Sequence, residues 1–354
     1  TVVFIGVNKS LEYKKNIYET RRKIQGFDCW LNPYPKSIRE WVKYLTNIDS
    51  IKMICNKYND VKAIIAYNYQ SIALNRLRGY CKKRDIKLIA DCTEWYDTKG
   101  SHIFFKIIKG LDTFLRMRFI HKKLDGLIVI SKYLEKYYKP YTNIVRIPPL
   151  VDLEEKKWEI TQNRDIGDKL KLIYFGNPGK NKDKMDYLLK FVYGLGRYFK
   201  YVLNIVGITE EQFQKGYPNS TALLQSLEGS VNLLGRLSHI ESIEQLKNSD
   251  LSIFIREDSR LTRAGFPTKF VESISCGIPV ITTRTSDLED YIIEGVNGLF
   301  VNCDKLDEDI YDKVIQYLNF RFNDSRMSNI DSQLFHYMRY VEKTKDFLNK
   351  VFTC

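Results

Sequence analysis

The chain of 354 residues is 44% hydrophobic and 28% charged, and its formal net charge is +13. The length is too great for one ordinary hydrophobic core and predicts two domains of roughly 150 to 180 residues, and the composition is typical of a soluble globular protein. No apolar run approaches the ~20 residues that a membrane-spanning helix needs. The positive charge fits a polyanion, a membrane surface or an anionic substrate as partner, or serves only solubility. No nucleic-acid-binding module is recognisable, so nucleic acid is not expected as a partner.

The seven cysteines are scattered along the chain, and no two form a Cys-x-x-Cys pair. This pattern indicates reduced thiols in a cytosolic protein, without a disulfide framework or a zinc site. The first residues, TVVFIG, predict a strand rather than a signal peptide, because a basic head and a cleavage site are lacking. We therefore expect a cytoplasmic protein.

Short apolar runs alternate with helical stretches through the first 150 residues. The runs predict strands at residues 1–7, 62–67, 86–91, 127–130 and 144–147, and the periodicity predicts helices at residues 37–58, 71–84 and 103–124. Strands that alternate with helices indicate a parallel sheet with covered faces. Pro148 and Pro149 end this half, since paired prolines cannot continue either element. We therefore assign residues 1–150 to a first domain.

A second series of the same kind follows, and we assign it to a domain at residues 151–333. Its predicted strands lie in the run KLIYFGNPGKNKD, which ends in a glycine-rich basic loop, and at residues 201–207, 231–234, 251–255, 279–282 and 297–301. The final segment, residues 334–354, predicts an amphipathic helix over 334–352. No Gly-x-Gly-x-x-Gly follows the first strand, which argues against a dinucleotide-binding domain.

Residues 252–283, SIFIREDSRLTRAGFPTKFVESISCGIPVITT, predict a strand, a polar loop, a helix, a turn and a second strand. The run Gly265-Phe266-Pro267-Thr268 opens the helix, where a proline costs no hydrogen bond. Such an entry leaves backbone N–H groups and the positive end of the helix dipole free for an anion, most naturally a phosphate. Lys269 adds a charge there, and Glu272, one turn further, offers acceptors to a ribose diol. A plain βαβ unit is the alternative interpretation.

The run AGFPTKFVESISCGIPVITT resembles the donor-binding signature of the two-Rossmann-domain (GT-B) glycosyltransferases, specifically the retaining glycosyltransferase family 4. The resemblance implies an α/β fold of two Rossmann-like domains that face a cleft, with the C-terminal helix crossing back to the first domain. In that family two Glu residues bracket the loop. Glu272 matches the second, which holds the nucleotide ribose. Ala264 stands at the position of the first, which touches the donor sugar, so the sequence departs from the family there.

The loop from Gly176 to Asp183, GNPGKNKD, follows a predicted strand and opens a helix. Glycines let the backbone approach an anion closely and lysines neutralise it, although a solvated turn is the alternative. The resemblance implies that the family's pyrophosphate-binding basic pair lies in this loop. The expected donor-binding residues are Gly176, Gly179, Lys182 and Lys180, with Lys182 the first choice for the phosphate and Lys180 the second.

Two further stretches are assigned to the donor. The run LLGRLSHIESIEQLKNSD resembles the family's base-binding stretch, which implies that Arg236 and Leu237 lie near the nucleobase. Arg256, like the arginines at positions 260 and 263, lies on the loop that must be near the sugar. These arginines either compensate for Ala264 or complement phosphate charge.

In the first half, the run ADCTEWYD follows a predicted strand. Open α/β sheets bind ligands at the carboxyl ends of their strands, where aromatic rings stack on a sugar and carboxylates accept its hydroxyl groups. The expected acceptor-binding residues are Asp91, Glu94, Trp95 and Tyr96, and the expected catalytic residues are Lys269, Glu94 and Asp91. A capped helix start is the alternative for this run.

The resemblance implies a retaining transfer of a sugar from a nucleotide-sugar, a UDP-sugar, to a hydroxyl group of a lipid-linked saccharide in surface polysaccharide synthesis. The leaving diphosphate takes the acceptor's proton on the same face, so no strong enzymic nucleophile is needed. The family usually works without a metal, and the one Asp-x-Asp, at Asp307 and Asp309, lies in an acidic helix start. The alternatives are a non-catalytic GT-B subunit that binds nucleotide sugar or a partner enzyme, and a sugar-nucleotide epimerase, whose placed acids and histidine are not found.

The stretch from Ile103 to Lys123 has an apolar side and a basic side. The apolar residues are Ile103, Phe104, Ile107, Ile108, Leu111, Phe114 and Leu115, extended by Met117, Phe119 and Ile120, and the basic residues are Lys106, Lys109, Arg116, Arg118, Lys122 and Lys123. This pattern is typical of a helix in a membrane interface, and an ordinary helix covering the sheet is the alternative. We expect peripheral binding to an anionic membrane, on its inner face, where a lipid-linked acceptor would enter the cleft.

Overall fold

A computed structural model describes residues 1–11, 20–95, 103–159, 168–178, 182–302, 308–323 and 330–353, without the side chains of residues 103–105 and 320–323. Within these residues the chain forms two α/β domains and a C-terminal helix that returns to the first of them. The five described cysteines, Cys29, Cys55, Cys81, Cys92 and Cys276, are buried, and no disulfide bond links any two of them. In the same residues, every helix is too short or too polar to span a bilayer.

The first domain contains two sheets. The strands are β1 (Val3–Asn8), β2 (Arg21–Ile24), β3 (Phe27–Pro33), β4 (Ala63–Tyr67), β5 (Lys87–Cys92), β6 (Gly126–Val129) and β7 (Asn143–Arg146). Strands β4, β5, β6 and β7 form a parallel sheet in that order, as the alternation of strands and helices predicts. Strand β1 lies in a separate sheet, paired in parallel with β3, which also pairs with β2 in an antiparallel hairpin that the sequence analysis did not predict. The hairpin turn is Gln25-Gly26, where both residues have positive φ, as a type I′ turn requires.

The helices of the first domain are α1 (Ile38–Thr46), α2 (Asp49–Cys55), α3 (Ser71–Lys83), α4 (Ile103–Leu115) and α5 (Lys132–Tyr138). The single helix predicted over residues 37–58 is wrong, because Asn47 is extended and its side-chain oxygen accepts the N–H of Asp49 at 2.5 Å, which starts a second helix. The helix predicted over residues 103–124 is regular only to Leu115 and continues as a π-helix over Arg116–Ile120.

The second domain is a six-stranded parallel sheet, ordered β10-β9-β8-β11-β12-β13. Its strands are β8 (Leu170–Phe175), β9 (Tyr201–Val206), β10 (Val231–Gly235), β11 (Leu251–Phe254), β12 (Val280–Thr282) and β13 (Gly298–Phe300), close to the predicted bounds. The strand order reverses between β8 and β11, and such a reversal opens a crevice at the carboxyl ends of the two strands. The loop from Gly176 to Asp183 and residue Arg256 follow these two strands, so the sheet topology itself brings them together.

The helices of the second domain alternate with its strands along the chain. They are α6 (Met185–Leu195), α7 (Glu210–Gly216), α8 (Thr221–Ser226), α9 (His239–Lys247), α10 (Arg260–Ala264), α11 (Thr268–Ser275) and α12 (Glu308–Asn323). Residues 256–264, expected to be a polar loop, contain the short helix α10, which Ser259 caps with its side chain.

The C-terminal segment links the two domains. Phe335 is fully buried in the second domain against Phe266 and Phe270, and the regular helix α13 (Val341–Thr353) begins only after it. Phe347 and Val351 of α13 pack on the sheet of the first domain. A Cβ at Gly126 would lie 2.7 Å from the Phe347 ring, so the helix can approach β6 only because residue 126 is glycine.

Candidate functional site

A cleft of about 510 Å³ lies between the two domains. From the first domain it is lined by Tyr67, Asp91, Thr93, Glu94, Ile128, Ile130 and Ile147, and from the second by Lys182, Arg256, Leu261, Thr262, Gly265, Phe266 and Thr268, with Pro148, Pro149 and Leu150 of the linker between them. The first-domain polar groups lie at or just after the carboxyl ends of β4 and β5, and the second-domain cations follow β8 and β11. The carboxyl ends of both sheets therefore meet at one site.

Asp183 is the centre of a buried ionic cluster at the second-domain side of this cleft. Its Oδ2 lies 2.7 Å from Lys269 Nζ and accepts a hydrogen bond from the Tyr174 hydroxyl at 2.6 Å, while its Oδ1 accepts from Arg256 Nε at 2.6 Å. The carboxylate is 1% exposed and the Lys269 side chain 9%. The Lys269 ammonium also lies 4.8 Å from the centre of the Tyr174 ring. One carboxylate thus joins groups from β8, the end of β11 and helix α11.

The charges of this cluster stabilise one another. Burial raises the pKa of Asp183, but the charges of Lys269 and Arg256 outweigh it and hold the pKa below its ordinary value. For Lys269, burial lowers the pKa, and the Asp183 carboxylate offsets part of that loss. Two cations against one carboxylate leave the cluster with a net positive charge, which suits an anionic ligand.

Gly176 lies next to this cluster, in the loop after β8. A Cβ placed on Gly176 would lie 3.4 Å from Lys269 Nζ. Gly207, at the end of β9, has φ +109°, and a Cβ there would lie 2.6 Å from the backbone carbonyl of Gly176. The two glycines therefore let the loops after β8 and β9 and the Lys269 side chain of α11 approach one another at the carboxyl edge of the sheet.

Lys182 and Glu94 form an ion pair across the cleft, with 2.9 Å between Nζ and Oε2. The sequence analysis assigned these residues to the donor and to the acceptor respectively, and the structure brings them into direct contact. Their side chains are 44% and 24% exposed, so water screens the pair in part. Asp91 lines the same cleft, and burial raises its pKa to about 6.

Glu272 lies in a smaller cavity of about 200 Å³ that adjoins the cleft at Pro149, Leu150 and Thr268. Burial raises the pKa of Glu272 above its ordinary value, even though His239 Nε2 lies 3.1 Å from its Oε1. His239 also starts helix α9, after the N-cap Ser238. Glu272 thus presents a carboxylate one turn from the start of α11, where the sequence analysis placed a ribose contact.

The helix entry at residues 265–268 adopts the predicted form. Pro267 is the residue before α11, and Thr268 is its first residue, with its side of the helix facing the cleft. Phe266 is mostly buried against Tyr291 and Phe335, which fixes the loop against the C-terminal segment. The first N–H groups of α11 therefore lie at the cleft wall.

Several predicted site residues lie elsewhere. Trp95 is buried against Tyr133 and Tyr137, so its ring is covered by protein and does not line the cleft. Arg236 is exposed and Leu237 packs on the second-domain core, and neither lines the two cavities. Tyr96, Gly179 and Lys180 lie outside the described residues.

The remaining arginines of the 256–264 segment do not line the cleft either. Arg260 lies over the Trp95 ring at 5.2 Å, and Arg263 pairs with Asp258 at the surface. Only Arg256 of the three reaches the ionic cluster. Among His, Cys, Asp and Glu of the described chain, no group of three comes together as a metal site.

Sequence reasoning missed Asp183 and the contacts that join the domains. Asp183 stands in a run of lysines and asparagines, which indicates a solvated turn, and only the meeting of β8 with β11 reveals its burial. At the domain interface, Asp287 accepts the backbone N–H of Lys132 at 2.8 Å and a bond from Arg146 Nη1 at 2.6 Å. Asp290 forms ion pairs with the side chains of Lys132 and Arg146. Lys132 lies two residues after the strand predicted at residues 127–130, and this position was a usable signal for it.

Helix α4 and the π-helix after it differ in part from the predicted membrane surface. Ile107, Leu111 and Phe114 are exposed, as that surface requires. Arg116 and Met117 are instead buried, with Arg116 Nη1 donating to the Tyr69 carbonyl at 3.4 Å, so assigning them to the surface was wrong. The π-helix turns these two side chains toward the first-domain core.

Two Rossmann-like domains with a shared cleft and a C-terminal helix that crosses back define the GT-B fold. The structure is similar to sucrose-phosphate synthase from Thermosynechococcus elongatus, with a TM-score of 0.70 and 13% identity over 94% of this chain and 86% of the other. It is also similar to Anabaena HepE in complex with UDP (TM-score 0.62, 12% identity, 92% and 86% covered). A third similar structure is the lipopolysaccharide outer core galactosyltransferase WaaB (TM-score 0.58, 14% identity, 98% and 99% covered). At these identities the likeness shows the fold alone.

The sequence comparisons concern smaller parts of the chain. Residues 169–319, most of the second domain, match the family model described as glycosyl transferases group 1. An uncharacterized glycosyltransferase of Methanocaldococcus jannaschii, MJ1178, is 32% identical over 87 residues, which is 23% of this chain and 24% of that protein. The chain therefore aligns with about a quarter of the length of this curated relative.

Proposed function

We propose that the chain transfers a sugar from a nucleotide-sugar donor, a UDP-sugar, to a hydroxyl group of a saccharide acceptor. The observation that carries the proposal is the arrangement across one cleft: Lys182, Arg256 and the N-terminus of α11 face Asp91 and Glu94. Cations and free N–H groups suit a diphosphate, and carboxylates suit the hydroxyl groups of a sugar. The match of residues 169–319 to glycosyl transferases group 1 supports the same reaction, and the UDP complex of HepE supports the choice of nucleotide.

In this proposal the second domain binds the donor. The diphosphate lies at the start of α11, near Gly265 and Thr268, with Lys182 and Arg256 as its cations and Lys269 behind them. Glu272 accepts hydrogen bonds from the ribose in the adjoining smaller cavity. Gly176 leaves room for the phosphates because it has no side chain beside the Lys269 ammonium. These fixed cations stabilise the charge that grows on the diphosphate as the sugar bond breaks.

The transfer proceeds with retention at the sugar carbon. The bond between that carbon and the diphosphate oxygen breaks, the acceptor oxygen forms its bond on the same face, and the acceptor's proton passes to the leaving phosphate oxygen. The protein supplies cations, orientation and exclusion of water rather than a nucleophile. Asp91 and Glu94 orient the reacting hydroxyl groups. We propose that the step needs no metal.

We further propose a lipid-linked acceptor in surface polysaccharide synthesis and peripheral attachment to the cytoplasmic face of an anionic membrane. Helix α4 supports this proposal, because Ile107, Leu111 and Phe114 form an exposed apolar stripe next to the exposed cations Lys106 and Arg118. The helix follows β5, the strand that carries Asp91 at its end. A lipid held at α4 would therefore present its sugar to the acceptor side of the cleft.

Transfer assays with the purified chain test the function. A thermal-shift screen against UDP-, GDP-, ADP- and dTDP-sugars first identifies the donor that raises Tm, and release of free UDP then reports turnover with and without saccharide acceptors. We expect stabilisation by a UDP-sugar and acceptor-dependent release of UDP. Absence of stabilisation by every nucleotide sugar and of any turnover would contradict the proposal. Lys182→Ala is the matched variant, and both signals should be weaker in it.

A second candidate is a non-catalytic GT-B subunit that binds nucleotide sugar or stabilises a partner enzyme. The observation that favours it is Ala264, which is 0% exposed and packed in the hydrophobic cluster of the first domain. Alanine offers no carboxylate to a donor sugar at that position. Binding of UDP-sugar without hydrolysis or transfer, under all acceptor conditions, would select this candidate.

A further inference from the structure

We propose that Asp183 is a positioning residue of the donor site, which fixes Lys269 and Arg256 side by side as cations for the nucleotide diphosphate. The inference rests on the proposed donor function and names the residue on which the donor-site charge depends. Neither the sequence motif nor the resemblance to a family assigns a role to Asp183.

The geometry of the carboxylate is the first argument. Both of its oxygens are engaged, at 2.6 to 2.7 Å, by two cations and one hydroxyl group that come from three elements. Charge-assisted bonds of this length are strong and directional. Lys269 lies in the first turn of α11, and its side chain reaches Gly176, whereas Arg256 lines the cleft. Asp183 therefore sets where both positive charges lie relative to the cleft.

The loop itself is held by its backbone. The N–H of Asp183 donates to the Pro178 carbonyl at 3.3 Å, and the N–H of Lys184 donates to the Ile255 carbonyl at 2.8 Å. Residues 183 and 256 also form an isolated antiparallel bridge. The backbone at residues 183 and 184 is thus held without the carboxylate, so a side-chain variant at position 183 changes mainly the charges.

The surroundings of Lys269 explain why a carboxylate is needed. Arg256 repels its charge from the end of β11, the Tyr174 ring faces it from β8, and Glu272 lies one turn along its own helix. Asp183 makes the ion pair to Lys269 at 2.7 Å. Without it, a buried ammonium beside a guanidinium would favour the neutral form. The donor site would then lose a cation at neutral and alkaline pH while keeping it in acid.

The test is UDP binding by calorimetry between pH 7.0 and 8.5, where the phosphate charge is already constant because its last pKa is about 6. Asp183→Asn keeps the size of the side chain and removes its charge. We expect this variant to bind UDP more weakly than wild type and to lose at least about fivefold more affinity across the pH range, since a group above its pKa loses about tenfold of its charged form per pH unit.

Two variants serve as controls. Tyr174→Phe removes one hydrogen bond to the same carboxylate but keeps its charge and the aromatic ring, so the affinity should stay flat with pH. Asp183→Asn combined with Lys269→Arg places a guanidinium that stays charged without a carboxylate partner, so the pH dependence should disappear again. A merely structural role for Asp183 would produce neither the pH dependence nor this rescue.

The outcomes separate the inference from the function. UDP binding by wild type with equal pH profiles for Asp183→Asn and Tyr174→Phe overturns the positioning role and leaves the donor function standing. No binding of any nucleoside diphosphate by wild type overturns both. If Asp183→Asn does not fold, the pH profile of UDP binding by wild type decides the inference. A UDP affinity that is constant from pH 7.0 to 8.5 supports a Lys269 held in its charged form by Asp183. A steady loss of UDP affinity over this range overturns the inference.

Discussion

The side-chain hydroxyl of Ser131, in the first domain, donates a 3.0 Å hydrogen bond to the backbone carbonyl of Ala264, in the second. The methyl group of Ala264 is completely buried in the hydrophobic cluster of the first domain. Next to it, the Ser286 hydroxyl donates to the carbonyl of Gly265. Residue 264 therefore belongs to the interface between the domains.

Ala264→Glu is expected to destabilise the protein rather than to restore a sugar contact. A carboxylate at this buried position loses its hydration, which costs on the order of 2 kcal/mol or more. Thermal unfolding should show a lower Tm, and transfer should fall. Ala264→Ser, which is small and uncharged, is the control and should stay near wild type. A stable Ala264→Glu protein with faster transfer would contradict the packing argument.

The ion pair between Glu94 and Lys182 is expected to compete with the donor for the lysine. Glu94→Gln removes the competing charge, so UDP affinity should rise about three- to fivefold, consistent with about 1 kcal/mol for a partly exposed pair. The same variant should slow transfer, since Glu94 faces the acceptor side. Calorimetry and initial rates measure the two effects separately.

Lys182→Ala should weaken UDP binding about tenfold or more, because a phosphate contact by a charged group is lost. Lys184→Ala is the matched control: it removes a nearby lysine that pairs with Glu257 and does not line the cleft. Equal losses for both lysine variants would mean that only overall charge matters, and Lys182 would have no specific role.

Much of the fold followed from the alternation of apolar runs with helical periodicity, because this signal is local. The strands of the second domain and the helix entry at residues 265–268 lie close to their predicted positions. The β2–β3 hairpin was missed, although a Gln25-Gly26 turn between two short runs was a usable signal. The break at Asn47 depends on a side-chain bond that periodicity does not report.

The sequence predicted a residue's place in the cleft only where that residue lies next to the carboxyl end of a predicted strand. Asp91 lies near the end of a strand, and Glu94, Lys182 and Arg256 follow strands; ligands bind at the carboxyl ends of strands in such sheets. The partners were not predictable, because Asp183 and Lys269 are 86 residues apart and meet only through the strand order. The prediction that Trp95 binds the acceptor was wrong for the same reason, since the segments that cover its ring come from elsewhere in the chain.

Asp91 is expected to give the reaction a pH dependence near neutrality. Burial raises its pKa to about 6, so its acceptor-binding carboxylate form grows as the pH rises through about 6, and the transfer rate should rise with it. Asp91→Asn should be slow and flat with pH, and initial rates between pH 5 and 8 measure this. A wild-type rate that does not change across this range would contradict a role for the Asp91 carboxylate.

The raised pKa of Asp91 also predicts that the stability of the fold decreases as the pH rises, whereas the transfer rate increases. Because the folded pKa of Asp91 lies above its ordinary value of 3.8, the fold favours the protonated form. That contribution is present below pH ~4 and is lost as the pH rises through about 6. Asp91→Asn should therefore unfold at a higher temperature than wild type at pH 7.5, with little difference at pH 4. A lower Tm for the variant at pH 7.5 would argue against burial as the cause.

The carboxylates of Asp287 and Asp290 hold the first domain through Lys132 and Arg146. Arg146→Ala would leave Asp287, whose side chain is buried, with fewer charged contacts, so the domains should separate more readily. Small-angle scattering should show a larger radius of gyration, and the change should be smaller once UDP-sugar is bound. Lys345→Ala, which breaks an exposed pair with Glu342, is the control. No change in scattering for Arg146→Ala would mean that apolar packing alone holds the domains.

Helix α4 is expected to attach the protein to anionic membranes through its exposed apolar stripe. Ile107 and Leu111 are 64% and 56% exposed, and a charge at either site would have to enter the lipid interface. Ile107→Glu with Leu111→Glu should abolish flotation with anionic liposomes while Tm stays within a few degrees of wild type, because neither side chain packs in the core. Ile240→Glu, at an isoleucine that is 59% exposed in the second domain, is the control and should float like wild type.

Each cation near an anionic surface contributes ~1 kcal/mol, so binding of the protein to the liposomes should also weaken with salt and be absent on neutral liposomes. Arg116 is buried and takes no part in this attraction, which leaves Lys106, Arg118 and Lys123 as its exposed sources. Equal flotation of wild type on neutral and anionic liposomes, or of the double variant on anionic ones, would show that α4 is an ordinary covering helix.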